Sequence, residues 1–172
     1  MVHVLIERDA IASRVGGLAR EIERDTPAGR SLHLVAALKG AFVFLADLLR
    51  AFEIPVTCDF MAVSSYGGGR ESSGAVRLIK DLDHDVAGRD VILVEDIVDS
   101  GATLAYLQNL LRARGPRSLR TVCLLDKRAR RQVPVSIEYV GFEIDDRFVV
   151  GYGLDSDEQY RQLPFVGVVD GQ

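Results

Sequence analysis

Cysteine is scarce: Cys58 and Cys123 are the only two. Each sits in an apolar run, Val56 to Val63 and Thr121 to Leu125, so both are expected as small buried thiols, and nothing calls for a disulfide or an oxidising compartment. Long hydrophobic runs are missing. No stretch approaches the roughly 20 apolar residues that span a bilayer, and the start, Met1-Val2-His3-Val4-Leu5-Ile6-Glu7-Arg8-Asp9, reaches charge before a signal-peptide core could form. A cytoplasmic protein with no membrane partner is the expectation. A large excess of either charge is missing too. The 21 Lys and Arg against 25 Asp and Glu leave a net −4, so a global attraction to nucleic acid is not indicated, and any phosphate site must be local. Repeats, linkers and low-complexity tracts are absent. What is there, 172 residues of which 48% are hydrophobic and 27% charged, describes one domain over residues 1–172 with a substantial core.

Ile11, Val15, Leu18, Ala19 and Ile22 recur at helical spacing and end in the polar turn Asp25-Thr26-Pro27-Ala28-Gly29. The unbroken apolar run Leu32 to Leu38 predicts a strand, and after Lys39-Gly40 the segment Ala41 to Phe52 predicts a helix. Strands are expected over Pro55 to Ser65, Ala75 to Leu82, Asp90 to Val94 and Leu119 to Leu125, and near Ile137 to Val140 and Phe148 to Val150. Tyr66 to Gly74 is a glycine and serine loop, and a helix is expected from about Thr103 to Arg114, stopped by Gly115-Pro116. Continuous apolar strands alternating with helices imply an α/β domain, its mainly parallel sheet covered on both faces.

Local charge is uneven. Residues 112–131 hold eight Lys and Arg against Asp126 alone, and residues 138–172 hold eight acids against Arg147 and Arg161. Solvated helix and loop charges, with a subunit contact between the opposite patches, are the expectation. An RNA-binding stripe is the lesser alternative, because no aromatics interleave with the arginines.

The segment Val91-Ile92-Leu93-Val94-Glu95-Asp96-Ile97-Val98-Asp99-Ser100-Gly101-Ala102-Thr103 carries the chemistry. Ligands of open α/β sheets collect at the carboxyl ends of strands, where the loop into the next helix offers free N–H groups. Ser100 to Thr103 suits a phosphate cradle, with two hydroxyls, a glycine permitting close approach and a helix start. Glu95 and Asp96 would repel phosphate but accept hydrogen bonds from sugar hydroxyls, so the combination points to a sugar phosphate. Neither a Walker sequence nor a Gly-x-Gly-x-x-Gly turn is present. A plain turn with a helix N-cap would explain Ser100 and Gly101 but not the acids.

These residues resemble the binding signature of the type I phosphoribosyltransferases, a hydrophobic strand followed by two acids and a short glycine and threonine loop. Four further segments in order resemble the hypoxanthine and hypoxanthine-guanine members: Leu38-Lys39-Gly40, Ser64-Ser65-Tyr66-Gly67, Leu124-Leu125-Asp126-Lys127-Arg128, and Phe148 to Asp155 followed by Tyr160-Arg161. The likeness runs from about residue 5 to residue 169. Ala102 departs from relatives that carry lysine there, which leaves the backbone cradle intact.

The resemblance implies the type I fold, with a small hood formed by the terminal segments, and transfer of a phosphoribosyl group from phosphoribosyl pyrophosphate to N9 of a 6-oxopurine. It assigns phosphoribosyl pyrophosphate to Lys39, Gly40, Glu95, Asp96, Ser100, Gly101, Ala102, Thr103 and Arg161. Asp99 is implied as general acid/base, Lys127, Phe148 and Val149 as the purine site, and Ser65 and Tyr66 as a lid. Mg²⁺ is the implied cofactor, with Asp155 as its protein ligand, and a homodimer or homotetramer the implied assembly. The Leu38–Lys39 peptide is expected to be cis or otherwise strained, since this turn must aim a backbone amide at an anion. Two alternatives remain: a nucleotide-sensing regulatory RNA-binding protein on the same fold, and a phosphoribosyltransferase for another base.

Overall fold

The computed structural model describes residues 1–65 and 76–169. A six-stranded sheet forms its centre, in the order β4(Val76–Lys80), β3(Val56–Ser65), β2(Leu32–Leu38), β5(Asp90–Val98), β6(Ser118–Asp126), β7(Tyr139–Glu143). Only the β3–β4 pair is antiparallel. Helices α1(Arg8–Arg24) and α2(Phe42–Ala51) cover one face, and α3(Ala102–Arg112) covers the other.

Side-chain alternation explains why the central strands read as unbroken apolar runs. Leu32, Leu34 and Ala36 of β2 and Ile92 and Val94 of β5 join Leu18, Ile22, Phe44 and Leu48 in the core under α1 and α2. Val35, Ala37, Val91 and Leu93 face the opposite way and bury Leu104, Leu107 and Leu111 of α3. A second, three-stranded antiparallel sheet joins β1(Val2–Ile6), β9(Val166–Val169) and β8(Val149–Val150), so the terminal segments do form a hood. No helix among the described residues is long and apolar enough to cross a membrane.

Several sequence expectations need correction. Strand β5 continues to Val98, because β6 keeps pairing with it through Glu95↔Cys123, Ile97↔Leu125 and Val98↔Asp126. The two acids are therefore part of the ladder rather than of the loop after it. Strand β7 starts later than Ile137, its register fixed by Val122↔Tyr139 and Asp126↔Glu143. Cys58 is exposed, whereas Cys123 is buried: β4 pairs with β3 only from Ala62 onward, leaving the start of β3 as a sheet edge. The opposite charge patches meet within the chain: Arg128 pairs with Glu143 at 3.8 Å and Arg130 with Asp146 at 3.2 Å.

Candidate active site

The chain leaves β2 for α2 on one face and leaves β5 for α3 on the other. The carboxyl ends of these neighbouring strands therefore open a crevice between diverging loops. A cavity of about 290 Å³ lies there, lined by Leu38 and Gly40 from the β2 end and by Glu95, Asp96, Asp99, Ser100, Gly101 and Thr103 from the β5 end.

Burial, and secondarily the neighbouring Asp96, pushes the Glu95 carboxyl well above the ordinary range. Its Oε1 is buried without a hydrogen-bond partner among the described residues, an acceptor open to a donor. Burial also raises Asp96, to about 6, against the opposing hydrogen bond that its Oδ1 accepts from Ile97 N at 2.8 Å. A carboxyl whose pKa is raised on folding holds its proton longer in the folded state, so between the unfolded value and about 6 its contribution to stability falls as pH rises. Asp96→Asn removes that penalty. Urea unfolding at about pH 4.5 and about pH 7.5 should show the variant gaining stability over the parent at the higher pH; a pH-independent difference would contradict the assignment.

Gly40 abuts this pair so closely that an added Cβ would lie 1.6 Å from Asp96 Oδ2. The preceding Leu38–Lys39 peptide is cis, as expected from the resemblance. Lys39 Nζ donates to Glu158 Oε2 at 2.8 Å, and Arg161 Nη2 reaches Glu158 Oε1 at 3.3 Å and Asp155 Oδ1 at 2.9 Å. Arg161 Nη1 donates to Gly153 O at 2.8 Å, while its buried Nε has no partner. Lys39 and Arg161 thus converge on one anion, at present the carboxylate of Glu158. Among the described residues no three His, Cys, Asp or Glu side chains gather to hold a metal. One carboxylate beside an anion clasp suits Mg²⁺, which keeps waters and substrate oxygens rather than filling an all-protein cage.

The turn from Ser100 to Thr103 is anchored by its backbone. Ser100 O accepts from Gln132 N at 2.9 Å and Val133 N at 3.0 Å, and Ser100 Oγ accepts from Ala102 N at 3.3 Å. Gly101 is the N-cap of α3 at φ 89°. A Cβ there would meet Val133 O at 2.7 Å and Arg131 Cδ at 2.8 Å, so the left-handed turn and the close backbone approach both require glycine. The first N–H groups of α3 face this turn without intrahelical partners. Thr103 is exposed beside it.

Asp99 does not cap the helix. Its Oδ1 accepts from Arg130 Nε at 3.1 Å, Arg130 Nη1 donates to Asp146 Oδ2 at 3.2 Å, and Asp146 Oδ1 lies 3.8 Å from Lys127 Nζ. Lys127 is buried, not the solvated lysine its arginine neighbours suggest. Phe148 is 42% exposed, just before β8, and Val149 is buried in β8, paired with Val168. Ser65 ends β3, and Tyr66 lies outside the described residues. Sequence reasoning missed Arg130 and Asp146, which belong to the uneven charge runs and whose pairing only the fold reveals; a salt bridge of Arg161 with Asp157 or Glu158 is the plain reading of the sequence there, and Glu158 does pair with Arg161.

Residues 5–157 match the family model for the phosphoribosyl transferase domain. The hypoxanthine-guanine phosphoribosyltransferase of Mycobacterium avium is 52% identical, over 97% of this chain and 85% of the relative. The hypoxanthine phosphoribosyltransferase of Salmonella typhimurium is 48% identical, over 98% and 95%. A crystal structure of a Bacillus anthracis hypoxanthine-guanine phosphoribosyltransferase superposes with a TM-score of 0.92 at 47% identity, covering 97% of this chain and 98% of the other. With a mainly parallel sheet, a terminal hood and an acid pair leading into a glycine turn at the switch point, the chain belongs to the phosphoribosyl transferase family.

Proposed function

We propose that the chain is a purine-salvage phosphoribosyltransferase, transferring the 5-phosphoribosyl group of phosphoribosyl pyrophosphate to N9 of hypoxanthine or guanine and releasing pyrophosphate. The observation that carries this reading is the crevice itself. Glu95, with its orphaned oxygen, and Asp96 line one cavity with Gly40 and the glycine-hinged start of α3; Lys39 and Arg161 line a second cavity that shares Leu38 with it, and the buried Lys127 follows β6, its N–H on Val98 O at the end of β5. The alternative of an RNA-binding stripe loses its support, since Arg114, Arg117, Arg130 and Arg131 are paired with Asp81, Asp90, Asp99 and Asp126.

In this reading Ser100, Gly101, Ala102 and Thr103 hold the 5′-phosphate through backbone N–H groups and hydroxyls at the start of α3. Glu95 and Asp96 accept from the ribose hydroxyls. Two crowded carboxylates, one buried and one half-buried, resist being charged together, and a developing oxocarbenium centre supplies the positive charge that relieves them, so they favour the transition state over the ground state. Lys39, Gly40 and Arg161 clasp the pyrophosphate. Mg²⁺, when bound, neutralises charge building on the leaving group, and Asp155 would hold it together with substrate and water oxygens. Asp99 accepts the purine proton at N7 as N9 attacks. Phe148 offers a ring for stacking, main-chain groups at Val149 read the base edge, and Lys127 donates to O6.

Pyrophosphate release measured with phosphoribosyl pyrophosphate, Mg²⁺ and each of hypoxanthine, guanine, xanthine and adenine tests the reading. Turnover of a 6-oxopurine is expected, lost with a chelator and restored by Mg²⁺; no turnover of any 6-oxopurine would overturn it. The same reading proposes cytoplasmic action as a homodimer or homotetramer. An apolar groove of about 840 Å³ between α1 and α2, flanked by a Phe42 that is 43% exposed, favours association, which light scattering can measure.

A further inference from the structure

We propose that Asp146, which no part of the family signature marks, is a positioning residue for base choice, holding Lys127 as an aimed ammonium. This rests on the assignment of Lys127 to the purine 6-substituent. Lys127 is 7% exposed, at the end of β6, with little water to stabilise its charge. The carboxylates around its loop are distributed: Glu143 pairs with Arg128, Asp126 with Arg131, and Asp99 with Arg130. Asp146, on the connection between β7 and β8, faces Lys127 with one oxygen and takes Arg130 on the other.

The distance matters as much as the charge. At 3.8 Å Asp146 lies beyond hydrogen-bond reach of the ammonium, so it holds the positive charge in place without using up the three donors. The other oxygen of Asp146 accepts from Arg130, whose Nε donates to Asp99. One carboxylate thereby ties together the loops after β5 and β6, and with them the groups proposed to serve N7 and O6.

The chemical consequence follows from what an ammonium can do. It only donates, so it matches O6 of a 6-oxopurine and opposes the amino group of adenine. Without the carboxylate that faces it, the side chain is no longer held in one direction, so O6 loses an aimed donor and the discrimination against adenine weakens.

The test measures kcat and KM for hypoxanthine, adenine and phosphoribosyl pyrophosphate in the parent, Asp146→Asn, Asp146→Glu, Lys127→Ala and the double variant Lys127→Ala/Asp146→Asn. Asp146→Asn should raise KM for hypoxanthine by about tenfold or more and raise the adenine-to-hypoxanthine ratio of kcat/KM by a similar factor. It should leave KM for phosphoribosyl pyrophosphate within about twofold of the parent. Asp146→Glu should recover part of the loss, and in the Lys127→Ala background the Asn change should add less than about threefold. An unchanged base ratio in Asp146→Asn, or an equal effect with and without Lys127, overturns the proposal. If Lys127→Ala relaxes base choice and Asp146→Asn does not, the proposal alone fails. If Lys127→Ala leaves base choice intact, the underlying assignment of Lys127 fails, and the proposal with it.

Discussion

Asp99→Asn is expected to lower kcat by about 10²–10⁴-fold while leaving the binding of phosphoribosyl pyrophosphate nearly unchanged. The substitution is a clean probe because of where the carboxylate points. It does not support the phosphate loop, which is held through Ser100 O by Gln132 N and Val133 N. An Asn side chain of the same shape can still accept from Arg130 Nε through its carbonyl oxygen, so the geometry should survive while the proton acceptor is lost. Steady-state kinetics with saturating hypoxanthine, alongside isothermal titration of phosphoribosyl pyrophosphate, separates the two quantities. Turnover at the parent rate would reduce Asp99 to an anchor for Arg130 and remove it from the mechanism.

Adenine should be rejected strongly by the parent, and Lys127→Ala should abolish much of that discrimination by weakening hypoxanthine. Lys127 carries donors in a buried position. Setting the amino group of adenine against them leaves buried donors unpaired at a cost of about 1–3 kcal/mol, more for a charged group. In the proposed reading, removing the lysine takes away the partner of O6 and the obstacle to a 6-amino group together. The comparison to make is kcat/KM for hypoxanthine, guanine and adenine in both proteins. Equal use of adenine and hypoxanthine by the parent, or three values indifferent to the substitution, would end the assignment.

The elements and the site were legible in the sequence to different depths. Strand β2 could be read residue for residue because both its faces are buried, so its composition needs no partner to interpret it. The acids Glu95 and Asp96 marked the crevice but were read as loop, since nothing local announces that β6 keeps pairing alongside them. Strands β1 and β9 are too short to stand out, β1 being partly exposed as well, and form because they meet each other across the chain. The ionic bridge Asp99–Arg130–Asp146 was invisible for the same reason: each charge looks solvated until the loops after β5, β6 and β7 are brought to one edge. Cys58 shows the opposite failure, a residue whose apolar neighbours suggested burial that the sheet edge does not provide.

The carboxylate of Glu158 resting between Lys39 and Arg161 means that the protein carries its own counter-ion in the clasp. With the clasp assigned to pyrophosphate as proposed, capture is an exchange, one anion for another, rather than the filling of a positive hole. Lys39 and Arg161 against Glu158 and Asp155 leave that corner electroneutral until the exchange occurs, so long-range attraction of the substrate is muted. Both ionic contacts of Glu158 are at an exposed side chain and hence weak, which suits a group that must yield. Glu158→Gln should lower KM for phosphoribosyl pyrophosphate severalfold and make it more sensitive to added salt than in the parent. An unaltered KM and an unaltered salt slope would show that the carboxylate is a bystander. Otherwise the same side chain that steps aside for the substrate is ready to return when pyrophosphate leaves, and the affinity it subtracts on the way in becomes speed of release on the way out.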